Sequence, residues 1–335
     1  MRVGVIGTGA VGGTIAALLA AAGHQVEVTA RGANLDTLRE SGIRLDGVFG
    51  EVTARVRADV ALSRPPELAI ITTKAQDAAA ALLANAHALD GIPLVVVQNG
   101  LDGLSTAAAA APSAHAIGGL AMFAASYTAP GSVTVTGPGD TYLGSDRPEP
   151  DLPSLYAARV LGQALPVRVL GNFVGAQWTK LVVNQVNALP AITGLSVQDV
   201  AASRELLRIL TFSMLETVHI AEAIGVRFET LQSVSARRLL LFSRLPFGLA
   251  QNLPLRIVAR MGATPNPGST LQSIRRGQLT EVDYLNGAVV RAAAQAGRDA
   301  PINSRLVELV HEVERSGSFV PVSEVVRRVP VEMAS

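Results

Sequence analysis

The first half of the chain alternates short, continuously apolar segments with alanine-rich segments of helical length. The apolar segments predict buried β-strands, and they cover residues 2–7, 25–30, 68–73 and 93–98. The alanine-rich segments predict helices over residues 10–22 and 75–90. Because continuous apolar strands separated by helices are typical of a parallel sheet covered on both faces, this half is predicted to be an α/β domain.

The region after the fourth strand changes character. Residues 116–143 show no obvious helix, and their Val/Thr alternation predicts antiparallel strands that finish the domain. A Pro- and Asp-rich loop at 146–153 is followed by a predicted helix at 154–164 and a predicted strand at 166–170.

From about residue 173 strand patterns nearly vanish. Helices are predicted over residues 174–189, 203–224, 228–243, 270–276, 280–297 and 303–315. The Pro- and Gly-rich segment 246–268 is predicted to be irregular. The chain is therefore divided into an α/β domain over residues 1–172 and an all-α domain over residues 173–335.

Composition narrows the class of protein. Hydrophobic residues make up 49% of the 335 and charged residues 16%, against about 25% charged in an average soluble domain. A net charge of +1 provides no basic field for nucleic acid or membranes. The absence of cysteine excludes disulfides and thiol catalysis, and the five scattered histidines predict no metal site. With no secretory signal apparent, a cytoplasmic soluble protein is expected, and the apolar helical half is compatible with a homodimer.

A glycine-rich motif lies between the first predicted strand and the first predicted helix: Gly7-Thr8-Gly9-Ala10-Val11-Gly12. In this context the pattern predicts a dinucleotide-binding loop. Gly7 permits a tight turn, Gly9 lets a pyrophosphate approach the backbone, and Gly12 lets helix and strand pack closely. The helix N-terminus offers free N–H groups to the phosphates. A glycine-rich turn without a ligand is the alternative.

The end of the second predicted strand indicates which dinucleotide binds. NAD enzymes usually carry Asp or Glu there to hold the ribose 2′-hydroxyl. Here Ala30 takes that place and Arg31 follows. Because a guanidinium can bind a 2′-phosphate, the pattern favours NADP(H) over NAD(H). The alternative is that Arg31 is a solvated surface charge.

Lysine is rare in this chain: of 28 basic residues only Lys74 and Lys180 are lysine. Guanidinium keeps its proton at any useful pH, whereas a partly buried ammonium can have its pKa lowered and release a proton. A position that stays lysine against this bias is a candidate proton donor, or a compact charge that binds a small polar group.

Two polar residues follow neighbouring predicted strands. Lys74 comes directly after the strand at 68–73, and Asn99 comes directly after the strand at 93–98. Ligands of parallel sheets lie beyond the carboxyl ends of the strands, so both side chains are predicted to contact cofactor or substrate. A simple Asn-Gly turn is the alternative for Asn99.

Three polar residues share one stripe of the apolar helix predicted at 174–189. Lys180 and Asn184 are four residues apart and Asn187 continues the stripe. A stripe that faces a wet cleft would explain them, and a stripe that faces open solvent is the alternative.

The last cluster lies between residues 269 and 286. Ser269 is a natural N-cap for the helix predicted at 270–276. Glu281, Asp283 and Asn286 crowd the start of the following helix, where acidic residues are expected for electrostatic reasons. Spacing alone therefore favours capping over catalysis for Glu281.

Taken in order, these motifs resemble those of the ketopantoate reductase (2-dehydropantoate 2-reductase) family over nearly the whole chain. They are GxGxxG followed by Arg31, TTKAQD, VVVQNGLDG, WTKLVVNQVNAL, and the block STLQ…TEVDYLNG. The resemblance implies an N-terminal Rossmann domain (a doubly wound parallel sheet) that binds NADP(H) over residues 1–172. It also implies an all-α C-terminal substrate and catalytic domain, like that of 6-phosphogluconate dehydrogenase, over residues 173–335.

The resemblance also assigns roles to the residues. Lys180 would be the catalytic acid and Glu281 its acidic partner, which weakens the capping interpretation. Substrate or nicotinamide would be held by Asn99, Asn184 and Ser269. The cofactor would be bound by Gly7, Thr8, Gly9, Ala10, Val11, Gly12, Arg31, Lys74 and Asn99. Many family members carry a second asparagine four residues after Asn184, where this chain has Ala188, so no role follows for Asn187.

The implied reaction is the NADPH-dependent reduction of 2-dehydropantoate to (R)-pantoate for pantothenate biosynthesis. Two alternatives stay open: a reductase of another small 2-keto acid or carbonyl, and a non-catalytic NADP(H)-binding regulatory protein. Activity on a panel of keto acids distinguishes a reductase of 2-dehydropantoate from a reductase of another keto acid. The presence of both Lys180 and Glu281 argues against the non-catalytic regulatory protein.

Overall fold

The structure, a computed structural model, describes residues 1–147, 149–232, 234–262, 264–329 and 331. The chain divides into two units, Met1–Phe173 and Val174–Ser335. The first combines strands and helices and the second is helical, so the predicted α/β domain followed by an all-α domain is confirmed. No helix within these described ranges is long and apolar enough to cross a membrane.

The strands of the first unit are β1 (Arg2–Ile6), β2 (Gln25–Thr29), β3 (Ile43–Gly47), β4 (Val52–Ala54), β5 (Arg57–Asp59), β6 (Leu68–Ile71), β7 (Pro93–Val97), β8 (His115–Ala121), β9 (Ala124–Ala129), β10 (Ser132–Gly137), β11 (Thr141–Gly144) and β12 (Val167–Val169). Its helices are α1 (Ala10–Ala21), α2 (Gly32–Ser41), α3 (Ala75–Ala84), α4 (Gly103–Ala110) and α5 (Leu152–Leu161), with a 3-10 turn at Ala86–Ala88. The four apolar segments predicted as strands form β1, β2, β6 and β7.

Eight strands form the main sheet, in the order β12-β11-β8-β7-β6-β1-β2-β5. The six strands from β8 to β5 are parallel, while β11 runs antiparallel to β8 and carries β12 with it. Parallel strands are buried on both faces, and separate apolar clusters form around Val28 and around Ile71. The strand order reverses between β1 and β6, where open α/β sheets bind ligands.

Helix α1 packs between the main sheet and a second sheet with the order β4-β3-β10-β9. Every residue from Gly12 to Leu19 is buried, which explains why the helix is apolar and small on all sides. A Cβ atom at Gly13 would lie 2.9 Å from the Val133 side chain. The small residues of α1 therefore allow both sheets to approach it closely.

The second sheet corrects the prediction for residues 116–143. Strands β9 and β10 are antiparallel as predicted, but β10 also pairs in parallel with β3, and β8 joins the main sheet parallel to β7. Pairing between β10 and β3 joins segments almost ninety residues apart, for example Ser132 with Arg44. A local alternation pattern carries no information about a partner at that distance.

The second unit is built from α6 (Phe173–Asn184), α7 (Ala188–Thr193), α8 (Val197–Ala202), α9 (Arg204–Ala223), α10 (Ala236–Phe242), α11 (Phe247–Ala250), α12 (Asn252–Arg260), α13 (Gly268–Arg275), α14 (Asn286–Gln295), α15 (Pro301–Ser316) and α16 (Val322–Arg328). Two 3-10 turns, Gln185–Asn187 and Val282–Tyr284, follow α6 and precede α14. Both turns lie beside residues that the sequence singled out.

Four predictions for this unit were wrong in extent. The helix predicted at 174–189 ends at Asn184, where a 3-10 turn follows. The helix predicted at 228–243 begins only at Ala236, because the Ser235 hydroxyl caps it by accepting a hydrogen bond from the Arg238 amide. The segment 246–268, predicted to be irregular, contains α11 and α12. Its Pro254 lies in the first turn of α12, where a missing N–H costs nothing. The helix predicted to start at 280 starts at Asn286.

A buried polar network crosses the core of the second unit. The Asn286 side-chain amide donates to Gln185 Oε1 at 2.7 Å and to Asn303 Oδ1 at 2.9 Å. The Ser213 hydroxyl lies 2.8 Å from Gln185 Oε1, and Asn303 donates to Glu216 at 2.6 Å. Buried polar groups must be hydrogen-bonded, so this network fixes α9, α14 and α15 to the turn that follows α6.

We expect Gly12→Ala to lower the melting temperature. Its Cβ atom would lie 2.0 Å from the Gly7 carbonyl oxygen and 2.2 Å from the Thr72 hydroxyl. Overpacking costs about 1–3 kcal/mol, and each kcal/mol shifts the Tm of such a domain by about 2–4 °C. Gly9→Ala is the matched control, since Gly9 has a φ of −76° and its Cβ would meet nothing within 4 Å. Equal melting temperatures by calorimetry would contradict this account.

Candidate active site

The glycine-rich loop turns from β1 into α1 at the edge of the main sheet. Gly7 has a φ of +93°, and a Cβ there would lie 2.7 Å from the Thr73 side chain. Gly12 packs against the Gly7 carbonyl, while the space around Gly9 is open. The first amides of α1 have no partners within the helix. These three glycines thus provide a tight turn, a close helix–strand contact and an open cradle.

Thr8 is buried and its hydroxyl is engaged within the protein. It donates to the carbonyl of Thr29 at 3.1 Å and accepts from the Asn34 side chain at 3.1 Å. Asn34 also accepts from the Gly131 amide at 2.8 Å. Thr8 therefore anchors the loop to β2 and α2. Asn34, which the sequence analysis missed, braces the loop from α2.

Arg31 lies just beyond the end of β2, as its place after the second predicted strand indicates. It is exposed and forms the N-terminal boundary of α2 with extended backbone angles. Ala30 takes the position of the usual acidic residue, and its amide donates to the carbonyl of Asp59. The Asp59 carboxylate is itself paired with Arg39 at 2.9 Å.

Lys74 and Asn99 lie at the carboxyl ends of adjacent parallel strands. Lys74 follows β6 and precedes α3, while Asn99 follows β7. Gln98 ties the two strand ends together, since its side-chain amide donates to the Thr73 carbonyl at 3.0 Å. Because β1, β6 and β7 are consecutive in the sheet, the structure brings the glycine loop, Lys74 and Asn99 to one edge. Gln98 lies at the end of a predicted strand, and nothing in the sequence pattern marks it as a candidate for this role.

Lys180 lies in the second half of α6 and is half-buried. The residues that follow it, Leu181 and Val182, are buried in the core. Burial lowers the pKa of Lys180 to about 8, and the nearby Glu281 carboxylate opposes that shift. A lysine with a pKa in this range can release a proton near neutral pH.

Glu281 precedes the 3-10 turn Val282–Tyr284 and is half-buried. Its side chain does not cap that turn, whereas its backbone carbonyl accepts from the amides of Tyr284 and Leu285. The capping role that spacing favoured is therefore wrong. The carboxylate instead lies close enough to Lys180 to oppose part of the lowering of its pKa by burial.

Asn184 is the last residue of α6, so the predicted stripe does not continue in helical register to Asn187. Asn187 is buried in the 3-10 turn and its side chain donates to the carbonyl of Asn184 at 3.0 Å. Its oxygen accepts from the amide of Ser269 at 3.0 Å. Asn187 thus joins the end of α6 to the start of α13.

The predicted N-cap role of Ser269 is wrong. Helix α13 begins at Gly268, with Pro267 as the flanking residue, so Ser269 already lies in its first turn. The cap of its amide is the Asn187 side chain. The Ser269 side chain is exposed.

The residues of the first unit fit a dinucleotide. Gly9 leaves an open cradle at a helix N-terminus, which is the geometry that a pyrophosphate requires. Among the described residues no group of three or more acidic or histidine side chains could hold a metal ion. A dinucleotide fold joined to a helical unit with a lysine of lowered pKa is compatible with a nicotinamide-dependent oxidoreductase.

Comparison with known families identifies the oxidoreductase class more closely. Residues 3–148 match the family described as ketopantoate reductase PanE/ApbA, and residues 172–314 match its C-terminal domain. The chain belongs to the ketopantoate reductase family. The 2-dehydropantoate 2-reductase of Halobacterium salinarum is 29% identical over 95% of this chain and 100% of its own length. That of Pyrococcus abyssi is 26% identical over 92% of this chain and 97% of its own.

Solved structures share the fold over the same extent. A PanE/ApbA family ketopantoate reductase from Ralstonia eutropha superposes with a TM-score of 0.81 at 27% identity, covering 94% of this chain and 99% of its own. D-mandelate dehydrogenase in a complex with NADH and anilino(oxo)acetate gives a TM-score of 0.79 at 20% identity, covering 94% of this chain and 99% of its own. The second likeness is one of fold alone.

Proposed function

We propose that this protein reduces 2-dehydropantoate to (R)-pantoate with NADPH, as a cytoplasmic step of pantothenate biosynthesis. The observation that carries the proposal is the half-buried Lys180, whose pKa is lowered to about 8, beside Glu281. A carbonyl reductase needs a group of this kind because negative charge develops on the carbonyl oxygen. The relatives from Halobacterium salinarum and Pyrococcus abyssi, both named 2-dehydropantoate 2-reductase, support the choice of substrate.

The side chains of the second unit would carry the proton chemistry. Lys180 stabilises the developing oxyanion and donates its proton to that oxygen as a general acid. Glu281 keeps Lys180 protonated to higher pH and accepts a hydrogen bond from the new hydroxyl. Asn184 and Ser269 orient the polar groups of the substrate.

The edge of the main sheet would hold the cofactor. The backbone from Gly7 to Gly12 binds the pyrophosphate, and Arg31 binds the ribose 2′-phosphate. Lys74 and Asn99, at the next two strand ends, contact the ribose and the nicotinamide end. Bound there, NADPH would supply a hydride to C2 of the keto acid.

Oxidation of NADPH in the presence of several 2-keto acids tests the proposed substrate. We expect kcat/KM for 2-dehydropantoate to exceed that for other 2-keto acids by at least about tenfold, or roughly 1.4 kcal/mol. NADPH oxidation without such discrimination would contradict the named substrate while leaving the reductase chemistry intact. NADPH binding with no turnover on any keto acid would indicate a regulatory protein.

We expect Lys180→Arg to keep the fold and lose turnover. Arginine preserves the charge but does not release a proton, and general acid catalysis contributes about 10²–10⁴-fold to the rate. The wild-type kcat should fall as pH rises through about 8, since Lys180 must be protonated to act. This decline should be missing from the residual rate of the variant. A near-normal kcat with a wild-type Tm would exclude Lys180 as the proton donor.

We expect Arg31→Ala to weaken NADPH binding by roughly 10–100-fold and to leave NADH binding unchanged. The range follows from the loss of hydrogen bonds to a charged phosphate, worth about 1.5–3 kcal/mol. Arg39→Ala is the matched control, because Arg39 lies in the last turn of the same helix and pairs with Asp59. Equal losses for the two cofactors in titration calorimetry would contradict a 2′-phosphate role for Arg31.

A further inference from the structure

The segment that carries Glu281 is held from α15. The Thr280 amide donates to Glu314 Oε1 at 2.7 Å, and the Thr280 hydroxyl accepts from the Val282 amide at 3.2 Å. On the other side of Glu281, the carbonyl of Asp283 accepts from Arg291 at 2.7 Å. Both flanks of Glu281 are therefore fastened to neighbouring helices.

His311 joins the two acidic residues that hold this segment. Its Nδ1 lies 2.7 Å from Glu314 Oε2, and its Nε2 lies 3.0 Å from Asp283 Oδ1. Ionised carboxylates only accept hydrogen bonds, so both ring nitrogens must carry protons to bond both partners. Two simultaneous bonds require the imidazolium form of His311.

The electrostatic environment favours that form. Burial alone would lower the pKa of His311, but the hydrogen bonds to Glu314 and Asp283 outweigh burial and raise it. Burial would likewise raise the pKa of Glu314, but the Thr280 amide and His311 outweigh it and lower it. We call Glu314, His311 and Asp283 the histidine clamp.

We propose that the histidine clamp positions Glu281 beside Lys180, so that His311 and Glu314 are positioning residues for the reaction. The proposal rests on the proposed function of Lys180 and Glu281. Within the clamp, Glu314 binds the amide of Thr280, one residue before Glu281, and His311 binds the carboxylate of Asp283, two residues after it. Since the backbone between Thr280 and Asp283 is short, the loss of either bond would allow the Glu281 carboxylate to shift relative to the ammonium.

The clamp also makes the position of Glu281 depend on pH. Because the pKa of His311 is raised in the folded protein, both bonds are fully present below the ordinary value of about 6.5. One of the two bonds is lost as pH rises through the raised value, because the neutral ring keeps a proton on only one nitrogen. Of the other charged groups on α14 and α15, Arg291 binds the carbonyl of Asp283, and Glu312 pairs with Arg328 on α16 at 2.6 Å.

The pKa of Lys180 reports the position of Glu281 without any assay of activity. Labelling with ¹³C at lysine Cε yields two lysine signals, because the chain contains only Lys74 and Lys180, and Lys74→Arg assigns them. We expect Glu281→Gln to lower the pKa of Lys180 and His311→Ala to lower it by a smaller amount. Glu312→Gln is the matched control, since it removes an ion pair of the same helix and should leave the pKa unchanged.

With 2-dehydropantoate as the substrate, the variants that lower the pKa of Lys180 should also lower kcat, and Glu312→Gln should not. We expect His311→Ala to lower kcat at neutral pH by up to roughly 100-fold, since a misplacement of about 1 Å can cost that much, with little change in KM. The alkaline decline in kcat should move to lower pH in step with the NMR value. A variant that loses stability alone would lower the active fraction without moving this decline.

The possible outcomes distinguish a failure of the clamp proposal from a failure of the proposed function. If Glu281→Gln lowers the pKa of Lys180 but His311→Ala does not, the clamp is overturned and the proposed function stands. If Glu281→Gln leaves that pKa unchanged, the Lys180–Glu281 pair is overturned and the clamp falls with it. Should His311→Ala fail to fold, the wild-type protein decides: its Lys180 signal must show a second inflection at the pH where His311 titrates, and a single inflection overturns the clamp.

Discussion

The partial removal of the Lys180 ammonium from water is the constraint on which the second unit depends. A charge in such a place must be paired or its pKa shifts, and both effects are present here, since burial lowers the pKa and Glu281 opposes the shift. Helix α6 must therefore stay apolar around Lys180, as Leu181 and Val182 are. The segment before α14 must also stay in place, because a small displacement of Glu281 would change the fraction of Lys180 that carries a proton.

The two units solve different physical problems. In the first, the glycine loop works through backbone geometry: a positive φ at Gly7, a close contact at Gly12 and open space at Gly9. The side chains around the loop, such as Thr8 and Asn34, hold that backbone in shape. In the second unit the candidate site is shaped by electrostatics, since burial lowers the pKa of Lys180 and Glu281 opposes that shift. Asn187 performs a similar supporting task by joining the end of α6 to α13.

Local patterns predicted the parts of the fold whose interactions are local or uniformly apolar. Strands β1, β2, β6 and β7 were apparent because a strand buried on both faces is apolar throughout. The second sheet was not apparent, since β3 and β10 pair across a long stretch of chain. The predicted helix boundaries were wrong where a single hydrogen bond sets the start of a helix, as the Ser235 cap does for α10. The prediction of an irregular segment at 246–268 was wrong because Pro254 lies in the first turn of α12, where proline is tolerated.

The sequence by itself determined the α/β and all-α division, the glycine loop, the placement of Lys74 and Asn99 at strand ends, and the family through the order of its motifs. These features follow from residue type and spacing along the chain. Only the tertiary structure decided that Glu281 does not cap its turn, that Asn187 caps α13, and that His311 lies between Glu314 and Asp283. Each of these depends on which distant side chains meet, and the protonation of a buried group depends on all of its neighbours, which spacing along the chain does not specify.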